Sequence, residues 1–149
     1  MVQIFENRGW DKNMKNENCI FCKIANGEIP GRTVYEDEDF RAILDLGPAS
    51  KGHTLILPKN HYANLYELPE EVAAKVMPVA KKIGECIKSK FSCDGLNLVQ
   101  NNGESAGQTV MHFHMHLIPR YEGEAPMVEW TPTEPSAEEL DAVLEAFKS

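Results

Sequence analysis

Residues 108–119 read Gln-Thr-Val-Met-His-Phe-His-Met-His-Leu-Ile-Pro, and this stretch decides how the chain folds. Side chains of an extended strand alternate between its two faces. His112, His114 and His116 therefore share one face, while Phe113, Met115 and Leu117 share the other and should enter a core. Three of the five histidines stand at period two on one short strand. A solvated polar face on an edge strand is the plain reading. The apolar opposite face favours the sharper one, a row of imidazoles for metal binding or for acid–base and nucleophilic chemistry near neutral pH.

Upstream, residues 101–107 (NNGESAG) form a Gly-containing loop, and 96–100 (LNLVQ) read as a strand. Residues 67–91 carry the long helix. Val72, Val76, Val79, Ile83 and Ile87 step by three and four into one apolar stripe, with Glu70 and Glu71 in the first turn and Lys88 and Lys90 in the last. Pro78 should kink or interrupt it. Cys86, close to the stripe, is expected in the core, and Cys93 just beyond the helix is expected to be structural. Strands are expected at 53–57 (HTLIL), 40–46 (FRAILDL) and 33–35 (TVY), and a short helix near 19–29 ending about Gly27. Downstream, Ser136 with Glu139 three residues on forms a capping box for a last helix. The expected fold is α+β: an antiparallel five-stranded sheet with one long and one or two short helices. Residues 1–18 read as a polar arm, 19–121 as the domain, and 122–149 as a tail with a short helix.

The chain has 149 residues and a net charge of −8. One domain is expected at that length. The acidity argues against a nucleic-acid polymer as partner, since such binding rests on clustered Lys and Arg. It leaves a small anionic ligand open. Four cysteines are too few and too unevenly placed for a secreted disulfide scaffold. No apolar run approaches the ~18 residues of a membrane span, and the N-terminus lacks a secretory pattern. The expected compartment is the cytoplasm. There Cys19-Ile20-Phe21-Cys22 is a redox pair, a chance burial, or half of a tetrahedral zinc site.

The segment GQTVMHFHMHLIPR (107–120) resembles the motif of the histidine-triad (HIT) nucleotide hydrolases and transferases. Residues 20–30, 34–61 and 98–104 resemble further blocks of that family in the same order, so the likeness covers about 19–121. It implies cleavage at the α-phosphorus of a nucleoside phosphoramidate, dinucleoside polyphosphate or similar compound. His114 would be the nucleophile that becomes nucleotidylated, His116 would contact phosphate oxygens, and His53 would lie beside the nucleophile. Asp45 would hold ribose hydroxyls. Ile20, Phe21, Ile24 and Leu46 would line a base pocket. Asn101, Gly107, Gln108 and Thr109 would sit by the phosphate and leaving group, with Asn101 leaning toward the phosphoramidase branch. Backbone N–H groups of the Gly-rich turn would add to anion stabilisation. In members with the Cys pair, the resemblance completes a structural zinc site with His61 and His112 beside Cys19 and Cys22. It also implies a homodimer with a sheet continued across the interface and a purine nucleotide as ligand. Two rivals remain: a phosphohydrolase using the His row as catalytic metal ligands, and a nucleotide sensor or interaction module with little turnover.

Overall fold

In the computed structural model, residues 14–148 are described. The elements run α1 (Ile20–Ala25), β1 (Thr33–Glu36), β2 (Phe40–Leu44), β3 (Thr54–Pro58), α2 (Glu70–Phe91), β4 (Gly95–Val99), β5 (Met115–Arg120) and α3 (Ala137–Lys148), with a short 3-10 turn at Glu104–Ala106. The five strands form one antiparallel sheet in the order β1-β2-β3-β5-β4. The α+β architecture is the expected one.

Each face of this sheet carries a helix. Phe40, Ala42, Ile56, Phe113 and Leu117 meet the buried stripe of α2, from Val72 to Ile87. Ile43, Leu55 and Leu57 point the other way and meet Ala25 of α1, with Phe21 and Ile24 packed alongside. Period-two alternation on β2 and β3 sorts these residues between the two layers. Both faces of β3 are covered, and all five of its residues are buried. Phe113, Met115 and Leu117 join the α2 layer, and His112, His114 and His116 fall to the α1 side. There α1 supplies two cysteines.

Three expectations need correction. The hydrogen-bonded strand begins at Met115, not Gln108. Residues 108–114 are extended but leave the ladder: Phe113 N donates to Tyr62 O and His112 N to Val110 O. The alternation of faces survives because it depends on extended backbone, not on a neighbouring strand. Second, α2 starts at Glu70 and runs unbroken through Pro78. Third, Cys86 is exposed. The buried positions Ala80, Ile83, Gly84 and Ile87 wind to one side of Val79 and leave Cys86 outside the stripe. Cys93 is buried as expected.

Of the expected N-terminal arm, residues 1–13 lie outside the described residues. Residues 14–18 are tied down: Met14 O accepts from His61 N, and Asn16 O from Cys19 N. The chain divides into two compact units, one ending at Glu124 and the other including Ala125 to the C-terminus. In the latter, α3 starts at the expected capping box: Ser136 N donates to Glu139 Oε2 at 2.7 Å, and Glu139 N to Ser136 Oγ at 3.2 Å. Among the described residues no helix is long and apolar enough to cross a membrane.

Candidate functional site

The histidine row divides between two clusters. In the first, Cys19, Cys22, His61 and His112 bring one ligand atom each to within 4.8 Å of the others. Cys19 caps α1 and Cys22 lies one turn on, so both thiols leave the same end of the helix. Cys22 Sγ is 3.4 Å from His61 Nδ1, and His112 Nδ1 is 3.5 Å from both sulfurs. A tetrahedral ion with bond lengths of about 2.3 Å to sulfur and 2.0 Å to nitrogen would separate its S and N ligands by about 3.5 Å, so the spacing fits. The tautomer fits too. His112 Nε2–H donates to the Pro58 carbonyl at 2.9 Å, which leaves the Nδ1 lone pair facing the sulfurs. The sulfurs accept backbone hydrogen bonds, Asn16 N–H to Cys22 Sγ and Cys22 N–H to Cys19 Sγ, both 3.4 Å. Burial pushes the Cys22 thiol up to about 11 and the His112 imidazole down to about 4. Each therefore stays neutral unless a cation is supplied. These four residues could hold a metal ion, and with two thiolates and two imidazoles no ligand position is left open for water.

The second cluster holds His53, His114, His116 and Asp45. Its protons follow from its hydrogen bonds. Ala49 N–H donates to His53 Nδ1 at 3.0 Å, so the proton of the neutral ring is on Nε2. That Nε2–H donates to His116 Nδ1 at 2.9 Å, so His116 carries its own proton on Nε2. His114 Nδ1–H donates to the carbonyl of His112 at 2.7 Å, which leaves a lone pair on His114 Nε2. Burial lowers all three imidazoles. His116 is taken to about 4, with His114 and His53 adding to the effect, while Asp45 opposes the shift. At pH 7 the cluster therefore presents one unprotonated nitrogen, on His114, beside one N–H, on His116. Asp45 lies at the end of β2. Its Oδ1 accepts from Gly47 N at 2.8 Å, and its Oδ2 is 3.6 Å from His53 Nε2.

Ligand atoms of Asp45, His53 and His116 also approach one another closely enough for a metal, but their protonation does not suit one. A metal on His53 Nε2 would move that ring's proton to Nδ1, against the Ala49 N–H. The donor set fits a hydrogen-bonded relay instead.

The other expected residues spread around these clusters. Phe21 sets its ring edge-to-face with His114, centroids 5.0 Å apart, and with His112 at 6.1 Å. Ile24 is half-buried beside it, whereas Ile20 is 51% and Leu46 84% exposed. Asn101 is half-buried near Gly107, which takes φ +89° to close the 3-10 turn. Thr109 is exposed. Gln108 is buried and its side chain holds the loop together: Nε2 donates to Ala63 O and Val110 O, and Oε1 accepts from Gly103 N. The amides of Ala106, Gly107 and Gln108 also donate within the loop. Those three amides build the loop. Sequence reading missed Ala49 and Pro58, whose backbone groups set two of the tautomers. Every residue has a carbonyl and nearly every one an amide, so neither position carried a signal.

The HIT domain family matches residues 26–123. An adenosine 5'-monophosphoramidase of Schizosaccharomyces pombe is 40% identical over 133 residues, 89% of this chain and 97% of that protein. A crystal structure of a HIT family protein from Bacillus anthracis superposes with a TM-score of 0.82 at 44% identity, covering 89% of this chain and 96% of the other. A Zn-bound histidine triad family protein from Mycobacterium smegmatis gives a TM-score of 0.69 at 35% identity, over 88% and 96%.

Proposed function

The chain belongs to the HIT domain family, and from that membership and the site's geometry we propose that it is a nucleotide hydrolase acting through a nucleotidyl-histidine intermediate. The substrate class is a nucleoside phosphoramidate, with dinucleoside polyphosphates as the second candidate. One observation carries the reading: the hydrogen bonds leave a lone pair on His114 Nε2 next to an N–H on His116. A neutral, desolvated imidazole with its other nitrogen anchored is a competent nucleophile at neutral pH.

In this reading His114 Nε2 attacks the α-phosphorus. The N–P bond to His114 forms as the bond to the leaving amine breaks, and that amine departs with a proton taken from solvent water. His116 Nε2–H donates to a phosphate oxygen as charge builds there. His53 keeps His116 in the right tautomer. Water then attacks phosphorus and returns a proton to solvent, the bond to His114 breaks with its electron pair going back to Nε2, and the nucleoside monophosphate leaves. Asp45 Oδ2 accepts from ribose hydroxyls, and Ile20, Phe21, Ile24 and Leu46 enclose a purine base. Asn101, Gly107 and Thr109 flank the leaving group, and Gln108 fixes their loop. Cys19, Cys22, His61 and His112 hold zinc as a structural ion. The relative named as an adenosine monophosphoramidase supports the phosphoramidate, and the Zn-bound relative supports the metal.

The test is to mix the protein with adenosine 5'-phosphoramidate, quench in base, and look for released AMP and an AMP adduct on the peptide carrying His114. His114→Ala should lose turnover by a factor of 10³ or more, order of magnitude, yet still bind AMP. Turnover retained in that variant would refute the nucleophile. The rival metal-dependent hydrolase predicts activity that mild chelation removes and several divalent ions restore. A sensor predicts AMP binding without release of product.

A further inference from the structure

The two clusters are joined through His112 and Phe21, and we infer that the metal site positions the His114 imidazole, with Phe21 as the transmitting side chain. The inference rests on the nucleotidyl-transfer reading above for its effect on turnover, though not for its structural part.

Two routes lead from the metal ligands to His114. Along the first, His112 is held at both ring nitrogens: Nε2 bonds to Pro58 O, and Nδ1 lies among the ligand atoms. The carbonyl of that same residue accepts the Nδ1–H of His114 at 2.7 Å. Whatever fixes His112 therefore fixes the acceptor that selects the tautomer of His114. The second route runs through α1. This helix has six residues, far short of the ~12–15 at which an isolated helix becomes even marginal in water. Its C-terminal end is tied to the residue just after β3 by Asn26 Nδ2, which donates to Lys59 O at 2.8 Å. Its first turn is held by the two thiols and their N–H···S bonds. Phe21 lies in that turn, between the thiols. Its ring meets His114 edge-to-face at 81° and His112 at 85°, which limits how far either imidazole can rotate.

The hydrogen bond sets which nitrogen of His114 is bare, and the Phe21 ring sets where that nitrogen points. Both depend on the four ligands staying together. Without an ion, the ligand atoms of the two buried thiols and two imidazoles are joined to one another by S···N contacts of 3.4–3.5 Å. Phe21 is thus a positioning residue in addition to a pocket wall.

The experiment compares three forms labelled with ¹⁵N in their imidazoles: the zinc-loaded protein, the same protein stripped by a chelator, and zinc-loaded Phe21→Leu. The His114 resonances are assigned by their absence in His114→Ala. In the loaded protein His114 should show one fixed tautomer with the proton on Nδ1. In the stripped protein, with far-UV circular dichroism unchanged, that signal should average between tautomers. Phe21→Leu should keep one zinc per chain, broaden the same signal, and lower kcat roughly tenfold, the cost of a small misplacement of a reacting group. A pocket wall alone would raise KM and leave kcat and the His114 signal in place, and that result overturns the proposal. An unchanged His114 tautomer in both altered forms also overturns it. If stripping unfolds the chain, loaded Phe21→Leu decides alone. A wild-type protein that releases no AMP refutes the hydrolase reading, while the resonance measurements still decide the coupling.

Discussion

At the scale of single residues, the site works by arranging protons, not by collecting charge. His53, His114 and His116 are all held below the usual imidazole value by burial. In the proposed mechanism the neutral ring is both the nucleophile, at His114, and the hydrogen-bond donor, at His116. The acid limb of the rate profile should therefore lie below 6.5, with kcat/KM flat from pH 8 to about 6.5 and falling toward pH 4. An acid limb at or above 6.5 would show that these rings titrate as exposed imidazoles do. Stability follows the same sign. Between about 6.5, where an unfolded histidine takes up its proton, and about 4, where His116 does so in the folded chain, the unfolded state binds more protons. The stabilisation from a neutral His116 is complete above that window and is lost as pH falls through it. His116→Gln should accordingly lose less Tm than the wild type between pH 7 and 4.5. Backbone groups were the residue-level feature hidden from the sequence: the Ala49 amide and the Pro58 carbonyl fix two tautomers, yet any residue but proline could have supplied the first and any residue the second.

At the scale of elements, the alternation around His112–His116 was legible because side-chain direction depends on local extension. The length of β5 was not, because ladder bonds depend on which strands lie alongside. β3 reaches β5 only as far as Met115, opposite Ile56, and β4 only as far as His116, opposite Val99. Beyond that point Phe113 N turns to Tyr62 O, and the freed backbone can carry His112 into the metal cluster. The Cys pair was legible as a pair, and its partners came from resemblance, since residues 39 and 90 positions away cannot be matched from spacing. In α2 the apolar stripe was legible, and the continuity past Pro78 was not, since burial of Val72, Val76, Val79 and Ile83 on either side offsets the lost hydrogen bond. That loss still has a cost. Pro78 is exposed, so Pro78→Ala gives Ala74 O its donor back without disturbing the core. It should stabilise the chain by about 1–3 kcal/mol, less whatever the proline contributes by stiffening the unfolded chain. Urea denaturation measures this, and a lowered midpoint would mean the proline shapes a bend that the packing needs.

For the whole molecule, the question is what becomes of the sheet's two edges. An edge strand offers unpaired backbone groups to any second chain, and proteins usually blunt it. β1 is blunted: its register with β2 shifts between Thr33 and Tyr35, it ends on Glu36, and Asp37, Glu38 and Asp39 follow directly. β4 is not. Gly95–Val99 pairs with β5 in unbroken register, has no charged residue, and shows Leu98 42% exposed. We propose that the homodimer forms here, two β4 strands meeting antiparallel so that two five-stranded sheets become one. The net charge of −8 per chain opposes association at low ionic strength, and an uncharged β4 is the edge at which that opposition is least. Light scattering behind size exclusion should give the mass of two chains of 16.7 kDa each. Leu98→Lys, which buries two ammonium groups at one seam, should give the mass of one while leaving the far-UV spectrum unchanged. A wild-type protein that runs as a monomer at micromolar concentration, or a Leu98→Lys variant that remains a dimer, would move the interface away from β4.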